Sequence, residues 1–502
     1  MRTKRILVAY SAASTFVSTT LQHLLALKDF TDYDVKYVHS THQAQMNFDF
    51  NDFDVLIHNY CARLCFDGYV SADYERAVTA FRGLKIAVVQ DDYDRTIALH
   101  RAIRRLGFHV VLTSIQSDFW HLVYPKWQVP GVRLVQALTG YVPANRPVPD
   151  KEILPLRERP HLIAYRGRDI GAKYGRLGFE KYEIGRRMIE ICEEQNIPHD
   201  IGMDDASRIY GDDWYSFLGS SRTMLGSESG SNAFDFDEVI ENRLSEFAAV
   251  QGRPATYPEL AEFLEPLERP FDVGQISPRV FECAVMRTPM ILFRGQYSGA
   301  IEPGIHYIPL EKDFSNATDV LSRLRDLDFL QGFADRAYDH LIASGRYSYA
   351  RYADLVSDVI EEQYPQMEVD SFVRHRNSIA ARANPVQKPD VVTSPEDAVQ
   401  VALGERPTEH PQSLAEFAAK QDAYVELLRA LSAPEQSAYL SEPEQSASLS
   451  EPEQSASQSK PHVGSNKFGM VLQLWRILPN GTRKRISPAL RRLADETDNA
   501  SN

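Results

Sequence analysis

Cysteine is scarce in this sequence, and the few cysteines present form no recognisable pattern. The 502 residues contain four, namely Cys61, Cys65, Cys192 and Cys283. Their number and scatter do not describe a disulfide framework, so a reducing compartment, the cytoplasm, is expected. Cys61-x3-Cys65 has neither a second cysteine pair nor a nearby set of histidines, which a zinc site would need. The sequence therefore predicts no metal site.

Long apolar runs and an excess of positive charge are also absent. Because no run of about 18 apolar residues occurs, no membrane-spanning helix is expected. The net charge is −14, whereas general nucleic-acid binding needs a basic surface, so no nucleic-acid partner is expected. Residues 1–10 lead directly into an apolar strand pattern and not into the longer apolar region of a signal peptide. We expect a soluble cytoplasmic protein, and the length alone would fit about three domains.

The turn after the first strand pattern lacks glycine. Arg5–Tyr10 is a short, continuously apolar run typical of a buried parallel strand, and a helical pattern follows the turn Ser11–Ser14. A dinucleotide fingerprint needs glycines in this turn, for the tight bend and for close approach to a pyrophosphate. A dinucleotide oxidoreductase therefore gains no support, and no cofactor is predicted.

The first part of the chain alternates apolar strand patterns with helical patterns. Strands are predicted at residues 5–10, 33–38, 54–59, 84–90 and 109–113. This alternation predicts a doubly wound parallel sheet, here a Rossmann-like first domain over residues 1–145. Such sheets bind ligands at the carboxyl ends of their strands, where Asp91 and Asp92 follow a buried strand. The two carboxylates would orient an acceptor hydroxyl or act as a base, or else Asp92 or Asp94 caps the next helix.

A second α/β series follows a proline-rich linker at residues 146–160. Residues 161–345 are predicted as a second Rossmann-like domain, with strands at 161–165, 197–202, 290–293 and 306–310 and a turn followed by a further strand within 217–225. The loop after the first of these strands carries Arg168 and Lys173. Two cations there would neutralise a diphosphate, although a solvated basic loop is the commoner fate of such residues.

The stretch Ser277–Phe293 reads as a helix, a break at Thr288-Pro289 and a short strand. Ser277 is a good N-cap and the proline after it suits the first helical position. Glu282 falls among apolar residues of this helix. A carboxylate in that setting needs a partner, and hydroxyl donors of a bound sugar would serve.

Phe281-Glu-x-Ala-x3-Thr-Pro-Met-Ile291 resembles a signature of glycosyltransferases with the GT-B fold, in the C-terminal domain of the group 1 or family 4-like kind. The segments beginning at Ser277 and Tyr307 resemble the CgeB/YkvP-like branch. The resemblance implies two Rossmann-like domains facing a cleft, and transfer from a nucleotide-sugar that is substrate and not cofactor. It also implies a metal-independent, retaining reaction with an unknown acceptor, which is a glycan, a lipid-linked molecule or a small molecule.

The resemblance also assigns roles to individual residues. Glu282 would bind the ribose or sugar hydroxyls and take part in transfer. Asp91 or Asp92 would face the acceptor from the first domain. The remaining donor-binding residues implied by the resemblance are Arg168, Lys173, Ser227, Glu228, Gly230 and Arg279.

One departure from the family pattern concerns its paired glutamates, Glu-x7-Glu. Gly274 stands where the first glutamate belongs, eight residues before Glu282. Either that glutamate is missing, or Glu228 replaces it and residues 233–273 are an insertion. A catalytically inactive GT-B protein with a binding or scaffold role, for example in a surface-polysaccharide assembly, is therefore a second hypothesis. A nucleotide-sugar epimerase is a third, and it would need catalytic acids and a histidine in the cleft.

The C-terminal part changes composition. Residues 346–382 are predicted to be helices that cross back onto the first domain, and residues 383–502 form a tail. In the tail the motif Pro-Glu-Gln-Ser-Ala recurs every nine residues over 434–456. These repeats are too polar to bury a core and predict disorder. An apolar stretch with basic residues at 463–492 would contact an anionic membrane surface, a partner protein or the chain's own domains.

Overall fold

In the computed structural model the protein is described over residues 3–15, 17–142, 153–209 and 211–375. Within these ranges the chain forms two parallel sheets, each covered by helices, so the predicted two-domain doubly wound α/β fold is confirmed. Three predictions fall partly or wholly outside the described residues. They are the first part of the linker 146–160, the end of the helical segment 346–382, and the tail with its repeats and its 463–492 segment.

The first sheet has six parallel strands in the order β2-β1-β3-β4-β5-β6. The strands are β1 (Arg5–Tyr10), β2 (Asp34–His39), β3 (Val55–His58), β4 (Leu84–Val89), β5 (Val110–Thr113) and β6 (Arg133–Gln136). Five of them coincide closely with predicted strands. Of these, β1, β3, β4 and β5 are largely apolar, because a parallel strand covered on both faces is apolar almost throughout, whereas the edge strand β2 alternates.

Helices cover both faces of the first sheet. These are α1 (Ser18–Phe30), α2 (Ala72–Ala80), α3 (Thr96–Leu106), the single turn α4 (Trp120–Val123) and α12 (Tyr349–His375). Leu7 and Ala9 of β1 pack in the same core as α2 and α3, whereas Ile6 and Val8 pack with α1 and α12. This division follows the two-residue period of a strand.

Helix α12 joins the core of the first domain although it follows the second domain in sequence. Its buried side chains recur every three or four residues, namely Tyr349, Tyr352, Ala353, Val356, Val359 and Ile360. The spacing places them along one face of the helix. Each large side chain buried in this way contributes about 1.5–3 kcal/mol. The part of α12 from Tyr349 to Ile360 is thereby held on the first domain.

The second sheet has five parallel strands in the order β11-β10-β9-β7-β8. They are β7 (His161–Arg166), β8 (His199–Gly202), β9 (Ser221–Gly226), β10 (Met290–Phe293) and β11 (Ile308–Leu310). The helices around this sheet are α5 (Gly175–Glu194), α6 (Asp212–Gly219), α9 (Pro278–Val285), α10 (Ala317–Ser322) and α11 (Leu327–Tyr338). Helix α9 begins as its sequence indicates, because the Ser277 side chain accepts a hydrogen bond from the Arg279 amide.

Residues 233–273 form a helical pair between β9 and α9, consisting of α7 (Val239–Gln251) and α8 (Tyr257–Glu268). The segment before α7 is hydrogen bonded to the first domain. Thr96 and Ile97 donate their backbone N–H groups to the carbonyls of residues 235 and 236, at 3.0 and 2.9 Å. Arg95 forms a bidentate pair with Glu241, at 3.0 and 3.1 Å. This helical pair therefore connects the two domains.

Two further statements concern only the residues that the structure describes. None of their helices is both long enough and apolar enough to cross a membrane. They also contain no group of three or more side chains arranged to hold a metal ion.

Candidate functional site

The carboxyl ends of the two sheets lie against each other. In each sheet the strand order reverses once, between β1 and β3 and between β7 and β9, and ligands of such folds bind at these points. Gln116, just after β5, donates from Nε2 to the Gly274 carbonyl at 3.2 Å. Thr139, after β6, donates to the Ile276 carbonyl immediately before α9. The loops that carry the predicted site residues therefore meet at one interdomain boundary.

Asp91 and Asp92 are adjacent in sequence but differ completely in environment. The Asp91 side chain is 45 % exposed and accepts a hydrogen bond from the Tyr93 hydroxyl at 2.7 Å. Asp92 is fully buried, and its Oδ1 accepts from the hydroxyls of Thr113 and Tyr124. Burial raises the pKa of Asp92 to about 6. Asp91 can meet a substrate from the first domain, whereas the Asp92 carboxylate is enclosed within that domain.

The alternative that Asp92 or Asp94 caps the next helix is wrong. Helix α3 has Arg95 as its N-cap, in a left-handed conformation with φ of 45°, and no side chain caps its first amides. The acidic run is used in long-range contacts instead, which a local sequence pattern does not reveal.

Lys173, predicted to bind a diphosphate, lies 2.8 Å from Asp94 of the first domain. Asp94 is nearly buried and also pairs with Arg63. Burial opposes ionisation of Asp94, but Arg63 and Lys173 outweigh it and lower the pKa of Asp94 to about 2. Arg168, the other predicted diphosphate ligand, is 45 % exposed and lies 3.6 Å from Asp205. Both cations thus have a carboxylate neighbour within the protein.

Glu228 lies at the end of β9 and is 2 % exposed. Its Oε1 accepts the backbone N–H groups of Gln296 at 2.5 Å and Tyr297 at 2.9 Å, in the loop that follows β10. The carboxyl group fits against two glycines. A Cβ atom at Gly274 would overlap the Cδ and Oε1 atoms of Glu228 and lie 2.6 Å from Oε2, and a Cβ at Gly295 would also be too close.

The space beside Gly274 is therefore filled by the carboxyl group of Glu228. The family pattern places a glutamate side chain at position 274, and here a carboxylate from another strand end occupies the adjoining volume. Burial raises the pKa of Glu228, although the two backbone N–H donors oppose this effect. The geometry gives Glu228 a structural task, which is to hold the loop after β10.

Ser227 and Gly230 shape the same loop after β9. Ser227 is buried, with its hydroxyl 3.4 Å from the Glu228 carbonyl. Gly230 has φ of +87°, a conformation that favours glycine. The turn between them brings Ser229 into two backbone hydrogen bonds with Gln275, so the loop is tied to the chain segment that leads into α9.

Glu282 lies on the second turn of α9. The Trp214 indole Nε1 donates to its Oε2 at 2.8 Å. Burial raises the pKa of Glu282, and the Trp214 donor and nearby Arg279 oppose that rise. Arg279, one turn earlier on α9, donates from Nη2 to the Arg166 carbonyl at 2.8 Å. Its guanidinium lies between the rings of Tyr165 and Trp214, at 4.9 and 5.3 Å from their centroids.

Lys181 belongs to this site but was not predicted from the sequence. Its ammonium lies 3.4 Å from the Ser229 hydroxyl. Burial lowers the pKa of Lys181 to about 8, Arg279 adds to the lowering, and Asp91 of the first domain opposes it. Helix α5 begins at Gly175. Lys181 is therefore in the second turn of α5, on the side of the helix that faces Ser229.

Lys181 and Arg279 form a pair of cations next to the carboxyl ends of β9 and β7, respectively. Among the residues that the structure describes, neither side chain forms an ion pair with a carboxylate of the protein, in contrast to Lys173. Two adjacent cations with donors still available are suited to an anionic ligand such as a phosphate group. Glu282 on the same helix could accept hydroxyl hydrogens, and Asp91 approaches from the other domain.

Comparisons with known proteins yield likenesses of fold. No protein-family model matches the sequence, and no curated protein matches it significantly. One similar solved structure is an alpha-glucosyltransferase in complex with UDP-glucose and DNA, with 11% identity and a TM-score of 0.44; the match covers 73% of this chain and 100% of that one. Another is HepE of Anabaena in complex with UDP, with 9% identity and a TM-score of 0.40; it covers 72% of this chain and 100% of that one. A third is the DNA-modifying enzyme beta-glucosyltransferase, with 11% identity, a TM-score of 0.40 and coverage of 71% and 99%.

The resemblance to the CgeB/YkvP-like branch stays a prediction.

Proposed function

We propose that this protein is a glycosyltransferase that transfers a sugar from a nucleotide-sugar to an acceptor. The observation that carries the proposal is the cation pair Lys181 and Arg279, which lies at the carboxyl edge of the second sheet and forms no ion pair with a carboxylate among the described residues. A nucleotide-sugar presents a diphosphate, which two cations can hold, and hydroxyl groups, which a carboxylate such as Glu282 can bind.

The proposed roles differ in part from those expected from the sequence. Lys181 and Arg279 hold the diphosphate in place of Arg168 and Lys173, because those two have carboxylate neighbours of their own. Glu282 accepts hydrogen bonds from the ribose or the sugar. Ser227, Glu228 and Gly230 shape the loop beside the donor.

In the transfer step the acceptor oxygen forms a bond to the anomeric carbon of the sugar. The bond from that carbon to the diphosphate oxygen breaks, and its electron pair leaves with the diphosphate. Lys181 and Arg279 stabilise the negative charge that develops on the leaving group, which requires no metal ion. Asp91 is exposed at the interdomain boundary and takes the acceptor's proton, whereas Asp92 is enclosed. Retention of configuration remains what the family resemblance implies.

The first experiment measures donor binding. The protein is incubated with UDP, GDP, ADP and dTDP and with their glucose and N-acetylglucosamine derivatives, and thermal stabilisation and slow hydrolysis are recorded. Lys181→Met should weaken diphosphate binding by at least tenfold, because a hydrogen bond to a charged group contributes about 1.5–3 kcal/mol. Arg168→Met is the comparison variant and should bind like the parent. The assignment is overturned if Arg168→Met loses binding and Lys181→Met keeps it.

The pH dependence gives an independent check on Lys181. Its pKa of about 8 means that the ammonium loses its proton just above neutral pH, so diphosphate affinity should fall as the pH rises through about 8. Lys181→Arg keeps a permanent positive charge and should remove this fall. A parent protein whose affinity is constant between pH 7 and 9.5 would contradict the role of Lys181.

A second candidate function is that of a catalytically inactive binding protein. Its support is that Glu228 serves the backbone of the loop after β10 and that Lys173 serves Asp94, so two groups expected for the donor have structural tasks. Stabilisation by a nucleotide-sugar without hydrolysis or transfer, even when cell extracts supply acceptors, would favour this function over transfer.

A further inference from the structure

Trp214 contacts the two side chains of α9 that are candidates for ligand binding. Its indole N–H donates to Glu282 at 2.8 Å, and the Arg279 guanidinium lies 5.3 Å from its ring centroid. Trp214 belongs to α6, which precedes β9, whereas Glu282 and Arg279 are on α9, which follows the helical pair α7–α8. The contacts therefore connect two elements that are distant in sequence.

The position of the indole is itself fixed by packing. The Trp214 ring lies 5.6 Å from the ring of Phe217, which is buried one turn later on α6. An indole nitrogen is a donor only and makes a single hydrogen bond, so its orientation selects one carboxylate oxygen. It takes Oε2 of Glu282, which leaves the other oxygen to receive a ligand hydroxyl.

Arg279 is held by three contacts at once. Its guanidinium lies between the Tyr165 and Trp214 rings, and its Nη2 donates to the Arg166 carbonyl. Stacking on aromatic faces fixes a planar guanidinium while its remaining N–H groups stay available. Trp214 thus contacts both Glu282 and Arg279.

We propose that Trp214 is a positioning residue that orients Glu282 towards the ribose or sugar hydroxyls and Arg279 towards the diphosphate of the same donor. This inference rests on the proposed function. It assigns to α6 a role in donor affinity, although Trp214 itself acts through the two α9 side chains. Binding should consequently depend on the indole N–H and on the aromatic ring separately.

The surroundings of Glu282 determine what a pH measurement reports. The charged and titratable groups that act on its carboxyl or respond to it are Arg279 and Cys283 on α9 and Tyr349 on α12. Burial raises the pKa of Cys283 to about 12 and raises that of Tyr349 further, so neither group titrates between pH 5 and 9. Loss of the Trp214 donor should raise the pKa of Glu282, since that donor stabilises its ionised form.

The test compares Trp214→Phe, Trp214→Leu and the parent for binding of the glucose derivatives of UDP, GDP, ADP and dTDP by calorimetry between pH 5 and 9. Trp214→Phe keeps a ring for Arg279 but lacks the N–H, and should bind the preferred diphosphate sugar about tenfold more weakly. Its binding should also decline at a higher pH on the acid side than in the parent. Trp214→Leu lacks both contacts and should be weaker still.

Trp120→Phe is the matched control, because the Trp120 indole also donates one hydrogen bond, to the Ile115 carbonyl at 2.9 Å, but in the first domain. It should bind like the parent. Circular dichroism and thermal melting check the fold of each variant, and the comparison rests on Trp214→Leu if Trp214→Phe does not fold. A double-mutant cycle with Glu282→Gln asks whether the effect passes through Glu282. If it does, loss of the indole N–H should cost less affinity in the Glu282→Gln background.

Three results overturn the inference. They are unchanged affinity in Trp214→Phe, weakened affinity without a shift in the acid limb, and additivity in the double-mutant cycle. If the parent protein binds no nucleotide-sugar in the panel, the proposed function fails first and this inference fails with it. The two failures are distinguishable, because the parent protein still binds a nucleotide-sugar when only the role of Trp214 is wrong.

Discussion

Replacement of Gly274 by alanine should destabilise the protein strongly, because the new methyl group would compete with a buried carboxylate. A Cβ at this position would overlap the Cδ and Oε1 atoms of Glu228 and lie 2.6 Å from Oε2. Carbon and oxygen atoms do not approach this closely, so the Glu228 side chain must move. Its Oε1 would then lose the backbone N–H groups of Gln296 and Tyr297.

The size of the effect follows from those two hydrogen bonds. Each joins a buried carboxylate to an amide, and hydrogen bonds to charged groups contribute about 1.5–3 kcal/mol each. If the displaced carboxylate finds no new donors, the free energy of unfolding should fall by about 3–6 kcal/mol. Total stabilities of about 5–15 kcal/mol are usual, so this variant would lose a large part of its stability.

Urea unfolding followed by circular dichroism measures the effect in a double-mutant cycle. In a Glu228→Ala background the alanine at position 274 has room, and its further cost should be below about 1 kcal/mol. Gly332→Ala in α11 is the control. There the methyl group would meet only the flexible end of Arg336, at 3.0 Å, and a helical alanine should be neutral or stabilising by up to about 1 kcal/mol. Additive effects of Gly274→Ala and Glu228→Ala would refute this account of the site.

Two further predictions concern the first domain and its junction. The pKa of Asp92 is about 6 in the folded protein, whereas the ordinary value of an aspartate is 3.8. Ionisation of Asp92 therefore destabilises the fold as the pH rises from about 4 to about 6. The free energy of unfolding of Asp92→Asn relative to the parent should therefore rise by about 2 kcal/mol between pH 4.5 and 7.5. A constant difference in the free energy of unfolding would argue against a buried charge at Asp92. Transfer activity should be lost in Asp91→Asn and kept in Asp92→Asn. Arg95→Ala removes the bidentate pair with Glu241 and should cost about 1–2 kcal/mol, with faster proteolysis at the domain junction. The exchanged pair Arg95→Glu/Glu241→Arg should restore resistance to proteolysis at the junction. Equal rates of proteolysis for the parent, Arg95→Ala and the exchanged variant would contradict the prediction.

Strands were the most predictable elements, with one instructive exception. Continuous apolar runs such as Arg5–Tyr10 and Met290–Phe293 form strands with the predicted bounds. Strand β6 (Arg133–Gln136) was missed. It is at the edge of the first sheet, and all four of its residues are only partly buried, so no apolar run marks it. An edge strand is specified mainly by the strand it pairs with, here β5.

The candidate site was predictable only in part. The helix from Ser277 and the place of Glu282 on it follow from capping residues and helical periodicity, which are local properties. Lys181 and Trp214 were missed because nothing in their neighbouring sequence distinguishes them from other helical residues. Their importance comes from contacts with α9, which are created by packing of distant segments.

The sequence by itself determined the two α/β halves and the helix that carries Arg279 and Glu282, because apolar periodicity and helix caps are written in consecutive residues. Only the tertiary structure decided which charges are neutralised within the protein. Lys173 meets Asp94 of the other domain, and Glu228 fills the space beside Gly274. Electrostatic and steric partners are chosen by distance in space. For Lys173 that distance is set by the packing of the two domains against each other, and for Glu228 by the packing of loops within the second domain.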